Sequence, residues 1–165
     1  MFLKIITRVV QALSWAVYLM IFAVVLAALP IVAGYRNLVV LSGSMEPVYP
    51  VGSIIYYKAA DFDDIAVGDV ITYRLDEEAF ATHRVVQKNE QEQSFITKGD
   101  NNESQDAFPV LYSRVAGKNT NLAIPYAGFA ISRLANVFSI VSMAAILLLR
   151  VLLQTEKEAK QEEIN

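Results

Sequence analysis

Residues 42–47 read Ser-Gly-Ser-Met-Glu-Pro, and His83, farther along, is the only histidine in the chain. A serine hydroxyl is a poor nucleophile until a base takes its proton. With one histidine and no cysteine, few bases are on offer. Ser44 is the candidate nucleophile. It follows a short apolar run and a glycine, so the chain can turn sharply there and expose the hydroxyl, while Gly43 lets a substrate approach the backbone. Ser42 can offer a hydroxyl to a developing oxyanion beside the Ser44 N–H. A loop from Lys98 to Asp106 carries Asp100 and Asp106, either of which can fix the imidazole tautomer and stabilise the imidazolium. The pattern points to Ser-His-Asp acyl transfer, which is recognised by roles and not by chain order.

Each residue also has a plainer reading. Ser-Gly-Ser is a common turn, a histidine in a strand is often structural, and the acidic loop resembles a solvated turn. The loop imitates a calcium site through Asp100, Asn102 and Ser104, but Gln105 stands where the turn glycine belongs and Leu111 where a bidentate glutamate belongs. One histidine with scattered carboxylates also falls short of a zinc ligand set. Neither a metal nor a cofactor is expected.

These residues need elements to position them. The chain has 165 residues, enough for about one domain. Its apolar content of 55% is concentrated at the ends. Ala12–Ala33 is nearly continuous apolar sequence, and a second run, Leu134–Leu153, holds Arg150 near its end. About 20 such residues span a ~30 Å hydrocarbon core. The first run begins with Lys4 and Arg8, as a signal peptide would. It is longer than the ~7–15 apolar residues of a signal-peptide core, which favours an uncleaved anchor. Lys4 and Arg8 before the first run, with Arg150, Lys157 and Lys160 at the end of the second and beyond, place both termini in the cytoplasm and the intervening domain outside. That domain, residues 37–121, holds seven Lys/Arg against thirteen Asp/Glu, a net of −6. Such an acidic balance argues against nucleic acid as a partner.

Between the apolar runs the pattern becomes short β-like stretches separated by Gly, Pro and Asp. Strands are expected at 38–41, 53–57, 70–74, 81–87, 94–98 and 110–116, forming a mainly β module. The expected organisation is an N-terminal transmembrane anchor (1–36), an extracytoplasmic β domain (37–128), a second transmembrane helix (129–154) and a charged cytoplasmic tail (155–165).

Three segments together resemble the sequence boxes of type I signal peptidase: Ser42–Pro47, Thr82–Val85, and Lys98–Asn102 with Asp106. The histidine-bearing form resembles the endoplasmic-reticulum and archaeal branch, also found in some Gram-positive bacteria. The likeness covers about residues 35–128 and ends on Ile124-Pro125-Tyr126-Ala127-Gly128. By position it implies Ser44 as nucleophile, His83 as general base where the common bacterial branch has lysine, Asp106 as the triad acid, Asp100 as a supporting aspartate and Ser42 as the oxyanion-hole hydroxyl. Gln105 precedes Asp106, and Ala107-Phe108 stand where the family often has Arg-Gly, so Asp100 and Asp106 both stay open as the triad acid.

The resemblance implies the signal peptidase β-fold between two transmembrane helices. It also implies a membrane-bound serine endopeptidase that cuts preproteins after small residues of the Ala-x-Ala type. The partners implied are signal peptides, membrane lipid and the translocation machinery. An extended substrate would add as a strand beside Leu38–Leu41 and Phe80–His83. One rival keeps the class but uses Lys58 or Lys98 as base. Another is a catalytically silent, membrane-anchored β module that binds exported peptides or assembly partners.

Overall fold

The computed structural model describes residues 2–134 and 136–162, with side chains described for 5–134, 136 and 139–156. The end of the expected charged tail, 163–165, lies outside the described residues. The chain divides into two bodies, Met1–Ala28 with Ile131–Asn165, and Leu29–Ala130.

The first body is helical. Most of α1 (Phe2–Val32) and α3 (Val137–Glu162) lie in it. Both helices are long and apolar enough to cross a bilayer. On α1, Val10, Ser14 and Val17 form a buried stripe at helical spacing. The buried Ser14 hydroxyl donates to the Val10 carbonyl at 2.8 Å. The Arg150 guanidinium of α3 lies over the rings of Trp15 and Tyr18, 5.7 and 5.4 Å from their centroids. That placement offsets part of the cost of a cation in an apolar helix. The expected second span opens at Leu134. In the structure Leu134 closes a short helix, α2 (Ala127–Leu134), and the long helix starts at Val137. Asn136 causes the restart, since its carbonyl accepts the Ile140 N–H as the residue flanking α3.

The second body is a seven-stranded antiparallel sheet: β1 (Arg36–Val39), β2 (Ile54–Lys58), β3 (Val70–Arg74), β4 (Phe80–Asn89), β5 (Ser94–Lys98), β6 (Val110–Leu111) and β7 (Val115–Ile124). Their spatial order is β1-β2-β7-β3-β4-β5-β6. The expected strands at 53–57, 70–74, 81–87 and 94–98 are present, with ends shifted by a few residues. The stretch expected as one strand at 110–116 divides in two. After Leu111 a single 3₁₀ turn, Tyr112–Arg114, redirects the chain into β7, which runs to Ile124 between β2 and β3.

Two apolar clusters hold this sheet. Phe62, Ile65, Ile71, Tyr73, Val85, Phe95 and Val110 pack on one side. Met45, Tyr49, Ile55 and Val70 pack beneath the Ser44 turn. Successive β3 residues, Val70 to Tyr73, are all buried, so both faces of this strand are covered. Strand β4 changes partner along its length. Phe80–Arg84 pairs with β3, a register shift falls between Val85 and Gln87, and Arg84–Asn89 pairs with β5. Among the described residues Phe80–His83 therefore keeps one edge with no strand beside it. Strand β1, at the end of the sheet, keeps another.

Candidate active site

Ser44 sits in a one-turn 3₁₀ helix, Gly43–Met45, that follows β1. Met45 is buried and anchors the turn in the lower cluster. Ser42, extended at the start of the turn, has its Oγ 3.4 Å from Ser44 Oγ. In a 3₁₀ turn this short the leading N–H groups find no intrahelical carbonyl, so the Ser44 N–H is free to serve an anion.

His83 lies on β4, opposite Ile71 of β3. Its Nε2 is 3.2 Å from Ser44 Oγ and its Nδ1 is 2.7 Å from Asp106 Oδ2. A carboxylate at Nδ1 requires the proton there. Nε2 is then left as a lone pair facing the serine hydroxyl, the arrangement a general base needs.

Asp106 follows β5, and its backbone N–H donates to the Thr97 carbonyl at 2.8 Å. Besides the imidazole, its Oδ2 accepts the Thr97 hydroxyl at 2.6 Å and the Tyr73 hydroxyl at 3.1 Å. Burial alone would push this carboxyl up. The hydrogen bonds from Thr97 and His83, the imidazolium charge and the Tyr73 hydroxyl outweigh it, and its pKa falls below the ordinary carboxylate value. The Tyr73 phenol is pushed up to about 12, chiefly by burial. It is a protonated donor at neutral pH. Thr97 and Tyr73 carry no motif, and no sequence signal marks them; only the packing brings them to the carboxylate.

A pH dependence follows from the lowered Asp106 pKa. The unfolded chain binds this proton near pH 3.9, and the folded chain binds it only at lower pH. The stability from this group is present above about pH 4 and is lost as pH falls through the folded value. Thermal unfolding in detergent should show wild type more stable than Asp106→Asn at pH 7, with the gap closing toward pH 3. A gap of constant size across that range would refute the assignment.

Asp100 is held elsewhere. Arg84, next to the histidine, grips it bidentately, Nε to Oδ1 at 2.7 Å and Nη2 to Oδ2 at 2.5 Å. The same guanidinium donates to the Gly68 carbonyl at 2.7 Å. The loop around Asp100 holds the serine turn. Asn101 donates its backbone N–H to the Ser44 carbonyl at 2.8 Å and its side-chain amide to the Gly43 carbonyl at 3.1 Å. A Cβ on Gly99 would fall 2.6 Å from the Ser44 carbonyl oxygen, so only glycine fits there. Arg84 was open to sequence reasoning through its place beside His83 and its charge opposite Asp100. Neither lysine considered as a base bonds to Ser44. Lys58 Nζ lies over the Tyr35 ring, 5.4 Å from its centroid, and Lys98 pairs with Arg84 on β5.

A cleft of about 650 Å³ opens at Ser44 and His83, walled by Leu38–Ser42 on one side and Ala79–Thr82 on the other, with Met45 and Tyr49 among its lining. Its walls are the two unpaired strand edges. An extended peptide can bond to backbone on both sides, with Met45 and Tyr49 among the side chains that line the cleft.

Comparison with known proteins finds relatives of one kind. No family model matches the chain. It is 41% identical over 99 residues to signal peptidase I W of Bacillus subtilis strain 168, an alignment covering 58% of this chain and 52% of that protein. The chain is a homologue of the type I signal peptidases. It is also 42% identical over 71 residues to the signal peptidase complex catalytic subunit SEC11 of Candida dubliniensis, covering 41% of this chain and 42% of that one. The dog subunit SEC11C is 36% identical over 72 residues, 41% of this chain and 38% of its own. The chain thus spans about half, or less, of the length of the curated relatives it matches. A mainly β domain with apolar helices at either end is the architecture of this signal peptidase homologue.

Proposed function

We propose that the chain is a membrane-bound serine endopeptidase that removes signal peptides from exported preproteins. The observation that carries this reading is the line of contacts Ser44 Oγ–His83 Nε2 at 3.2 Å and His83 Nδ1–Asp106 Oδ2 at 2.7 Å, opening into a strand-lined cleft. In the proposed mechanism the Ser44 oxygen attacks the scissile carbonyl carbon while its proton passes to His83 Nε2. The Ser44 N–H and the Ser42 hydroxyl receive the oxyanion. The imidazolium, stabilised by Asp106, gives its proton to the leaving amine as the C–N bond breaks, and an acyl-enzyme remains. Water, deprotonated by His83, then releases the signal peptide and frees Ser44.

Small side chains just before the cut suit the cleft, because an edge-bound strand points alternate residues into it. The anchor (1–36) and the second span (129–154) would hold residues 37–128 at the outer membrane surface, with the tail (155–165) in the cytoplasm, in keeping with the basic residues at both ends. Membrane lipid and the translocation machinery would be its neighbours. The test is cleavage of a preprotein by the full chain in proteoliposomes, with the cut site read by mass spectrometry. An Ala-x-Ala substrate should be cut after the second alanine, and replacing that alanine by leucine should stop the reaction. Failure of an active-site acylating probe to label Ser44 would instead favour a silent peptide-binding module.

A further inference from the structure

A second hollow, about 360 Å³, adjoins the active-site cleft. Leu75, Ala81 and His83 line both, so the two hollows lie on either side of these residues and both border the imidazole-bearing residue. Arg74 and Arg114 also line the second hollow, together with the segment that follows Asp106. The sheet register brings these arginines together. Tyr73 of β3 pairs with Val115 of β7, so the next residue on one strand and the preceding residue of the other chain segment are neighbours at the end of that ladder. Neither guanidinium has a hydrogen bond or ion pair among the described residues. Two unpaired cations side by side repel each other, and they do so in a domain whose net charge is −6. The nearby acids are mostly committed: Asp106 to three donors, and Asp76 to the backbone N–H groups of Glu78 and Ala79. Phe108, in the segment after Asp106, is 81% exposed and adds an apolar surface.

We infer that this hollow receives the leaving side of the substrate, the first residues after the scissile bond, and selects an acidic side chain there through Arg74 and Arg114. The inference rests on the peptidase reading and extends it. The first cleft, between two open strand edges, takes the acyl side. The leaving segment needs an exit that passes the residue donating its proton, and His83 lines this second hollow too. An extended chain advances about 3.3 Å per residue, so the hollow is assigned to the first few residues after the cut. Guanidinium recognises carboxylate there in a planar, two-bond geometry that it cannot offer to a lysine side chain.

The experiment uses the full chain in proteoliposomes and two preproteins identical up to the cut. One carries Asp-Glu at the second and third positions after it, the other Lys-Lys. Wild type should favour the acidic substrate in kcat/KM by about tenfold, with the ratio shrinking as salt is added. The ratio should fall toward one in Arg74→Gln/Arg114→Gln and invert in Arg74→Glu/Arg114→Glu. Equal rates in wild type, or an unchanged ratio in the charge-reversed protein, would overturn the inference. If neither preprotein is cut by any variant, the peptidase reading fails. Fluorescence anisotropy with a labelled Asp-Glu pentapeptide then decides the hollow separately: binding weakened about tenfold by charge reversal supports it, and binding unchanged sinks it.

Discussion

Replacing Ser44 with alanine will lower kcat/KM for preprotein cleavage by a factor on the order of 10⁴ to 10⁶, and His83→Ala will cost a comparable amount. The two residues act as one device, since a hydroxyl without its base and a base without its hydroxyl are equally idle. The double variant should therefore be no slower than the worse single one, instead of showing the product of two losses. The 3.2 Å separation of Ser44 Oγ and His83 Nε2 is the reason to expect this coupling. The check is single-turnover cleavage in proteoliposomes, with circular dichroism to establish that both variants fold. Full activity in either single variant would reject the mechanism. Lys58→Ala and Lys98→Ala should keep activity within a few-fold of wild type, because neither amine bonds to the serine.

Asp106→Asn should lower kcat by about 10⁴, while Asp100→Asn should cost less than about tenfold in rate and on the order of 1–2 kcal/mol in stability. The difference follows from what each carboxylate touches. An asparagine at 106 can turn its amide N–H toward Nδ1, which favours the imidazole tautomer with its proton on Nε2. The base then points an N–H at Ser44 and has no lone pair to accept with. Asparagine at 100 loses part of its grip on Arg84, and with it some rigidity in the loop that holds the serine turn. Nitrogen NMR on ¹⁵N-histidine-labelled protein reads the tautomer directly, and the signal is unambiguous because the chain has one histidine. An unchanged tautomer in Asp106→Asn, or an equal rate loss in both variants, would reassign the acid.

Much of this architecture was open to inspection in the residues. The runs at 53–57, 70–74 and 94–98 are apolar, β-branched or aromatic and bounded by Gly, Asp or Pro, so strand was the natural reading. Strand β7 escaped because it does not look buried. Lys118-Asn119-Thr120-Asn121 is polar, yet Asn119 is 8% exposed and accepts the Thr72 hydroxyl at 2.8 Å. A strand that buries an amide side chain, with its oxygen held by a hydrogen bond, has little hydrophobic pattern to betray it. Gly117 adds to the disguise, since a Cβ there would fall 2.6 Å from the Lys58 carbonyl carbon.

The site divides in the same way. Serine, histidine and two aspartates announce themselves by type and company. The two aspartates differ in what holds them: the Thr97 carbonyl accepts the Asp106 N–H, and Arg84 grips Asp100. Neither contact has a sequence signature. Tyr73 and Thr97 are ordinary strand residues until the sheet folds.

The place of β7 has a consequence for biogenesis. It is the seam between the pair β1–β2, which carries the serine turn, and the group β3–β6, which carries the histidine and its acid. A ribosome delivers residues 115–124 after everything the seam must join. The backbone ladder between the two groups therefore closes only when almost all of residues 29–130 have been made. On the peptidase reading, Ser44 and His83 reach their final alignment late in synthesis, when this strand completes the sheet.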